Sequence, residues 1–155
     1  MKMKRCCFAG HKDVGSKFNT NNMKNKIIEL IENESVREFW VGNYGSFDAY
    51  SSAVIRELKE IYKDIKLELV IPYLTKSIME YKEEYYNKYD NILLANIPEK
   101  TPKQYRIIKA NEYMVNNSDY LICYINHSWG GAAKTLEFAN KKKHIQVINL
   151  GIYGK

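Results

Sequence analysis

Long apolar runs and metal-type cysteine spacings are absent from this sequence. No apolar run approaches the roughly 18 residues needed to cross a bilayer, and the apolar stretch near the start is too short for a signal peptide. The sequence therefore predicts a cytoplasmic protein. The three cysteines lie in strand-like apolar runs without C-x-x-C spacing, which predicts reduced core thiols at Cys6, Cys7 and Cys123.

The motifs of several enzyme classes are also absent. The chain has no Walker A motif, no nucleophile elbow and no complete dinucleotide-binding fingerprint, because its glycines fall short of those patterns. No second histidine or cysteine stands at metal-ligand spacing from His127. A single histidine of this kind is more often a surface or hydrogen-bonded residue than a catalyst. We therefore expect no metal and no cofactor, and neither a classical NTPase nor a dehydrogenase.

What the sequence does contain is the composition of one globular domain. Its 155 residues are 45% hydrophobic and 27% charged, and no linker or repeat interrupts them, so residues 1–155 are predicted to form a single domain. The net charge of +6 favours anionic partners. The lysines are scattered, however, and the run at 141–143 is explained by a helix dipole, so nucleic acid is not the expected partner.

Hydrophobic periodicity predicts strands and helices that alternate along the chain. Short apolar runs predict strands at Arg5–Ala9, Glu38–Val41, Leu67–Ile71, Asn91–Ala95, Tyr120–Ile125 and Ile145–Leu150. Apolar residues at helical spacing, or a cap followed by proline at Thr101, predict helices at Asn22–Asn33, Asp48–Tyr62, Lys76–Lys88, Thr101–Asn116 and Gly131–Lys143. The segment 76–88 has a poor apolar face, so its docking is the least defined.

This alternation predicts an α/β fold of Rossmann-like, doubly wound type. Near-continuous apolar strands require parallel pairing through right-handed crossovers, hence a mainly parallel sheet of five or six strands with helices on both faces. Ligands bind such sheets beyond the carboxyl ends of the strands, where the strand order reverses. The loops after the strands are therefore where a binding site is expected.

The first of these loops follows the strand that ends near Ala9. Gly10 permits a close approach of the backbone to a ligand, and the next helix offers free N–H groups to a phosphate. His11 and Lys12 add polar and cationic groups. The alternative is a glycine needed only for the turn, with two solvated side chains.

The second loop carries two glycines between a strand and a helix. Gly42, Asn43 and Gly45 predict a backbone folded around a small ligand, and Tyr44 can stack on a flat ring. Asp48 either caps the helix, orients the loop or holds a ribose hydroxyl.

The third loop gives the strongest signal in the sequence. Paired glycines at a helix start expose successive amide donors to an anion, and hydroxyl, amide and cationic side chains surround them. The candidate ligand residues are Asn126, Ser128, Trp129, Gly130, Gly131, Lys134 and Thr135, with Glu137 as a carboxylate in the first turns of the helix. An ordinary glycine turn before a helix is the alternative.

Three blocks of these residues resemble the SLOG superfamily. They are Cys-Cys-Phe-Ala-Gly-His-Lys at 6–12, Gly-Asn-Tyr-Gly-Ser-Phe-Asp at 42–48, and Gly-Gly with Thr and Glu at 130–137. The superfamily includes the LOG phosphoribohydrolases and sensor domains of bacterial defence systems that bind NAD-derived signals. The resemblance implies a Rossmann-like sheet that binds nucleotides or their derivatives, with a cleft lined by Gly10, Gly42, Gly45, Gly130 and Gly131. Asp48 matches the acidic position of the small-protein branch.

Two functions follow from this resemblance and the loops. The first is a binding module for a nucleotide or a nucleotide-derived, NAD-derived or cyclic signalling ligand. In it, Gly130, Gly131 and Lys12 contact phosphate, and Tyr44 or Trp129 lies against the base.

The alternative function is a nucleotide N-glycosidase. Glu137 would stabilise the positive charge that develops on ribose, as an oxocarbenium-like transition state requires. Compared with the phosphoribohydrolase motif, Trp129 replaces a proline, Ala133 replaces a glycine and Thr135 lies one place late, whereas Glu137 keeps its spacing. Arg106 is the candidate cation for this reaction.

Tyrosine is abundant, with 13 residues in the chain. Tyr81, Tyr85, Tyr86 and Tyr89 fall at helical spacing, which is compatible with a core and with an exposed interface. We expect a homodimer.

Overall fold

The computed structural model describes residues 3–152. The strands are β1 (Lys4–Gly10), β2 (Val36–Val41), β3 (Lys66–Ile71), β4 (Asn91–Leu94), β5 (Tyr120–Tyr124) and β6 (Gln146–Asn149). The helices are α1 (Thr20–Glu34), α2 (Ser46–Lys59), α3 (Lys76–Glu80), α4 (Lys82–Lys88), α5 (Arg106–Asn116) and α6 (Gly131–Asn140), and a 3-10 turn at Lys103–Tyr105 precedes α5.

The six strands form one sheet in the order β4-β3-β2-β1-β5-β6, and all neighbouring pairs are parallel. From β1 the chain winds outward to β4 and then returns to place β5 on the other side of β1. In the register, Cys6 lies opposite Phe39 of β2 and Tyr120 of β5. The predicted α/β, doubly wound parallel fold is confirmed, and its strand order reverses at β1.

Helices cover both faces of the sheet because each strand buries alternate side chains on opposite sides. Cys6 and Phe8 of β1 belong to the core beneath α1 and α2. Cys7 and Ala9 belong to the core beneath α5 and α6. Two hydrophobic layers therefore fix the central strand, and the loop that follows it starts from a rigid position.

The segment 76–88 forms two short helices that are separated at Tyr81. Ile78 of α3 packs on Leu69 and Ile71 of β3, with Tyr85 against the same small cluster. No residue of α4 is buried. This poor burial agrees with the weak apolar face in the sequence, and it leaves α4 as a thin cover over one edge of the sheet.

The helix predicted from Thr101 starts later than expected. The Thr101 hydroxyl donates a hydrogen bond to the carbonyl of Pro98 at 2.6 Å. Residues 103–105 form the 3-10 turn, and α5 begins at Arg106 with no side-chain cap at Tyr105. The predicted helix cap at Thr101 is therefore wrong, because this hydroxyl closes the preceding turn instead.

The three cysteines are buried and unpaired, as predicted. Burial raises the pKa of each thiol, since a thiolate would be desolvated in the core. Among residues 3–152, no helix is both long enough and apolar enough to cross a membrane.

Candidate ligand-binding site

A cavity of about 530 Å³ opens at the carboxyl ends of β1, β2 and β5, beside the point where the strand order reverses. The loop after each of these strands contributes to its wall, and α5 forms the opposite wall. The lining residues are Ala9, Gly10, His11, Lys12, Asp13, Tyr44, Asp48, Gln104, Ile107, Ile108, Asn111, His127, Gly130, Gly131 and Ala132. The three turns thus meet at one cavity.

The loops after β1 and β2 are joined by direct backbone contact. The Ser46 amide donates to the carbonyl of Lys12 at 2.7 Å, and the Val14 amide donates to the Ser46 hydroxyl at 2.9 Å. A Cβ on Gly45 would lie 2.6 Å from the Cα of Lys12, so only glycine allows this approach. Gly45 therefore closes the junction of the two loops and is not among the lining residues.

Gly10 is required by packing. A Cβ at this position would lie 2.2 Å from Cγ of Phe47, which is buried at the start of α2. The glycine lets the Phe47 ring lie against β1, and this contact holds the start of α2 at the cavity. A ligand need not approach Gly10 to explain the residue.

Asp48 orients the second loop. Its carboxylate accepts a hydrogen bond from the Tyr44 amide at 2.9 Å, and a Cβ on Gly42 would lie 3.0 Å from the same carboxylate oxygen. Desolvation raises the pKa of Asp48 from 3.8 to about 6, although the Tyr44 amide opposes the shift. The cavity wall therefore carries an acid that changes charge near neutral pH.

Tyr44 lines the cavity beside Asp48 and is partly buried. Burial, followed by the neighbouring Tyr73 and Asp48, raises the pKa of its phenol. The side chain therefore stays neutral and offers a flat ring with a hydroxyl group.

Three rings stack where the first and third loops meet. The centroids of His11 and His127 are 3.6 Å apart with an interplanar angle of 14°, and His127 and Trp129 are 3.8 Å apart at 17°. Nε2 of His11 accepts a hydrogen bond from the Asn126 amide at 3.1 Å. His11 is 8% exposed, whereas Trp129 is 69% exposed, so the stack runs from the cavity wall to the surface.

The helix α6 begins at the cavity with no side-chain cap. Gly130 precedes it at φ +97°, a left-handed conformation that favours glycine. The amides of the first turn of a helix have no partner within the helix, so those of Gly131 and Ala132 are available to an anion. The use of the paired glycines for anion binding stays a prediction.

Thr135 does not line the cavity and has a structural role in α6. It is 1% exposed, its hydroxyl donates to the carbonyl of Gly131 at 3.0 Å, and it accepts a bond from the Asn111 amide group at 3.2 Å. The bond from the Asn111 side chain joins α5 to α6, whereas the bond to Gly131 lies within α6. Ile108 packs closely on Gly131, where a Cβ would lie 3.3 Å from the Ile108 side chain.

The structure brings about half of the sequence-predicted ligand residues to the cavity. Those that line it are Gly10, His11, Lys12, Tyr44, Asp48, Gly130 and Gly131. Those that are not among its lining residues are Gly42, Asn43, Gly45, Asn126, Ser128, Trp129, Lys134, Thr135 and Glu137. Glu137 is exposed on α6, and Arg106 lies 5.0 Å from the Tyr73 ring, outside the lining set.

The sequence reasoning missed the contribution of α5 and of His127. Gln104, Ile107, Ile108 and Asn111 line the cavity, although no motif marks this helix. His127 was not among the predicted ligand residues, yet it lines the cavity. Its position shortly before the paired glycines could have indicated that it lies at the cavity.

Among residues 3–152, no group of three or more metal-ligating side chains is placed to hold a metal ion.

Comparison with known proteins supports the fold and the family. The structure resembles DNA processing protein A from Streptococcus pneumoniae, with a TM-score of 0.63 and 15% identity over 95% of this chain and 50% of that chain. At this identity the likeness shows the fold alone, and the chain spans about half the length of that protein. No curated protein matches the sequence. A model of the YspA SLOG family matches residues 2–150, and the chain therefore belongs to this family.

Proposed function

We propose that the cavity binds a nucleotide or a nucleotide-derived ligand without breaking a bond. The main support is the convergence of three turns on one cavity of about 530 Å³ at the reversal of the strand order, where doubly wound sheets bind ligands. This volume falls within the range typical of small-molecule sites. Membership of the SLOG family favours the same class of ligand.

The phosphate of the ligand would lie at the start of α6. Gly130 and Gly131 line this end, and the uncapped first turn of α6 supplies amide donors. Lys12, in the loop after β1, also lines the cavity. It makes no ion pair with a described side chain. Its ammonium group is thus available as a counter-charge.

The base and sugar would lie between the second loop and α5. The neutral ring of Tyr44 and the side chains of Ile107 and Ile108 offer flat and apolar contact. Asn111 can donate or accept hydrogen bonds, and the Asp48 carboxylate can accept one from a ribose hydroxyl. Such a division, with polar groups at defined places in an apolar wall, is typical of small-molecule sites.

Isothermal titration calorimetry tests the proposal with mononucleotides, cyclic dinucleotides, NAD and ADP-ribose. We expect at least one of them to bind, and Lys12→Ala to weaken binding about tenfold, which is roughly the value of one charge-assisted hydrogen bond. The matched control is Lys63→Ala, because Lys63 is exposed before β3, at the opposite end of the sheet. The absence of binding across the panel would reject the proposal.

Binding without cleavage is supported by the position of Glu137, the candidate catalyst of an N-glycosidase. Its side chain is exposed on α6, outside the residues that line the cavity. Incubation with nucleoside monophosphates separates the two functions. Release of free base that Glu137→Gln abolishes would replace the binding-only function with the enzymatic one.

A homodimer is the second part of the proposal. Large apolar side chains are exposed on and beside α3, α4 and β4: Leu74, Met79, Tyr81, Tyr86 and Leu94. Exposed apolar surface of this kind is typical of interfaces. Analytical ultracentrifugation should show a dimer that Tyr86→Glu dissociates, and a concentrated monomer would reject this part.

A further inference from the structure

The turn at residues 126–130, between β5 and α6, is attached to the rest of the cavity by few interactions. Just before it, the Ile125 amide donates to the side chain of Asn149 at 2.9 Å, so the end of β5 is fixed to β6. Beyond that point, the bond from the Asn126 amide to His11 and the ring stack join the turn to β1. The proposed ligand function uses none of these contacts directly.

The hydrogen bond defines the protonation state of His11. Because Nε2 accepts the proton of the Asn126 amide, a neutral His11 carries its own proton on Nδ1. A second proton on the ring would occupy Nε2. Two donors would then face each other across 3.1 Å, and the bond would be lost.

The ring stack also disfavours the protonated form of His11. His11 is almost fully buried and lies 3.6 Å from His127, centroid to centroid. Desolvation lowers the pKa of His11 below 6.5, and the charge on His127 contributes as the second cause. Neutral His11 is therefore favoured near pH 7, and the hydrogen bond to the Asn126 amide is lost only on acidification.

His127, the central ring of the stack, has a nitrogen atom without a hydrogen bond. Nδ1 of His127 is buried and has no hydrogen-bond partner among residues 3–152. A buried polar atom without a partner has lost its hydrogen bonds to water and gained none in return. Separation of the His11 and His127 rings would expose this atom to water. The buried Nδ1 of His127 therefore favours release of the turn.

Other titratable groups face the same cavity from the neighbouring loops. They are Lys12 and Asp13 on the β1 loop, His127 on the turn, and Tyr44 and Asp48 on the β2 loop and α2. Tyr44 stays neutral, since its pKa is raised. Protonation of Asp48 near pH 6 removes a negative charge, so its effect on an anionic ligand is opposite in sign to a release of the turn.

We propose that His11 is a proton-operated latch on the 126–130 turn, which it holds closed when neutral and releases when protonated. The closed turn places Gly130 and Gly131 on the cavity wall. Acidification therefore weakens binding of an anionic ligand. This last consequence depends on the proposed function, whereas the latch itself does not.

The latch is tested on the free protein by NMR. The chain has three histidines, and His144→Gln assigns the ring signals of the third, which lies away from the cavity beside Val115. We expect the His11 ring to titrate below pH 6.5 and the Asn126 amide resonance to move with the same midpoint. A His11 titration that leaves the Asn126 amide in place would overturn the proposal.

Tryptophan fluorescence gives a second readout on the same protein. Of the two tryptophans, Trp129 is exposed and Trp40 is buried, so a Trp129→Phe spectrum isolates the Trp129 signal. This signal should change with the His11 midpoint, because release of the turn moves Trp129, together with His127, away from His11. A flat Trp129 signal across that range contradicts the latch.

Two variants separate a latch from a merely structural histidine. His11→Gln keeps an acceptor near the Asn126 amide and cannot take a proton, so the acid transition should vanish. His127→Phe keeps the stacked ring and removes its charge, so the transition should move to higher pH. If His11→Gln does not fold, the direction of the His127→Phe shift still decides, and no shift or a downward shift counts against the latch.

The ligand consequence is measured with ADP-ribose, or with whichever probe of the calorimetry panel binds. Between about pH 7.5 and pH 5 we expect affinity to fall, by up to about tenfold for each pH unit below the His11 midpoint, which is the limit that linkage to one proton sets. Asp48→Asn removes the titration that opposes this fall, so the fall should be larger in this variant than in the wild type. Affinity of the Asp48→Asn protein that rises on acidification would overturn the regulation. If no probe binds, the proposed function is rejected and the NMR result still decides the latch.

Discussion

The two sides of the cavity are built differently. On one side, the loops after β1 and β2 are joined through the bond from the Ser46 amide to Lys12 and through a glycine contact at Gly45 that admits no side chain. On the other side, the 126–130 turn is joined to the loop after β1 through one hydrogen bond and one ring stack, both with His11. A Cβ on Gly130 would meet nothing within 4 Å. The first side is therefore the more firmly fixed of the two, and the second, called the responsive side below, is the one that we propose responds to pH.

The largest expected effect comes from a methyl group added on the fixed side. Gly10→Ala should lower the free energy of unfolding by about 3 kcal/mol or more, because the new Cβ would overlap the buried Phe47 ring. Gly130→Ala should cost only about 1–2 kcal/mol, the strain of a left-handed alanine in open space. Urea denaturation of both variants measures the difference. Equal costs would show that the two sides are equally adaptable.

A change of charge on the fixed side should alter the pH dependence of stability. Because the folded pKa of Asp48 is about 6 and its ordinary value is 3.8, the folded protein binds the proton more tightly than the unfolded chain. Stability from this group is full below about pH 4 and is lost as the pH rises towards 6. Asp48→Asn should therefore be more stable than wild type by about 3 kcal/mol at pH 7.5.

Thermal denaturation at pH 4 and pH 7.5 measures this effect. The two proteins should differ little at pH 4, since the wild-type carboxyl is then mostly protonated. An Asn variant that is less stable at pH 7.5 would mean that the carboxylate bond to the Tyr44 amide outweighs desolvation.

Loss of one hydroxyl tests the junction of the first two loops. Ser46→Ala removes the acceptor of the partly buried Val14 amide, so we expect a loss of about 1.5 kcal/mol. The exposed Ser16 provides the matched control, and Ser16→Ala should change stability by less than about 0.5 kcal/mol. Indistinguishable variants in urea denaturation would show that water satisfies the Val14 amide.

The smallest expected effect lies on the responsive side. Trp129→Ala should lower the free energy of unfolding by about 0.5 kcal/mol, because the ring is 69% exposed and contributes one stacking contact. Hydrogen exchange in the 126–130 turn should nonetheless become faster, while exchange in the β1–β2 junction stays unchanged. A loss of several kcal/mol would mean that this turn is as firmly held as its counterpart.

The fold could be predicted because its signals are local. Each buried strand is a short apolar run, each crossover helix repeats its apolar residues at helical spacing, and parallel pairing follows from their alternation. The ends of the helices were harder to predict from the sequence. The start of α5 depends on whether the Thr101 hydroxyl bonds forward or backward, and it donates backward to Pro98.

The site could be predicted only where parallel strands end. Carboxyl ends of adjacent parallel strands share one edge, so the turns at Gly10, Tyr44 and Gly130 were expected to converge. The contribution of α5 could not be predicted, because an amphipathic pattern does not tell which residues of a helix face a neighbouring cavity. The reason for Gly10 was equally hidden, since the Phe47 ring that requires it lies in a different helix.

The position of β1 in the middle of the sheet has a consequence for synthesis of the chain. Cys6 pairs with Phe39, which leaves the ribosome soon after it, and with Tyr120, which emerges far later. Until then, one edge of β1 and the hydrophobic face beneath α5 and α6 stay uncovered, a state prone to association. The cavity is therefore incomplete until Ala132, the last of its lining residues along the chain, has left the ribosome.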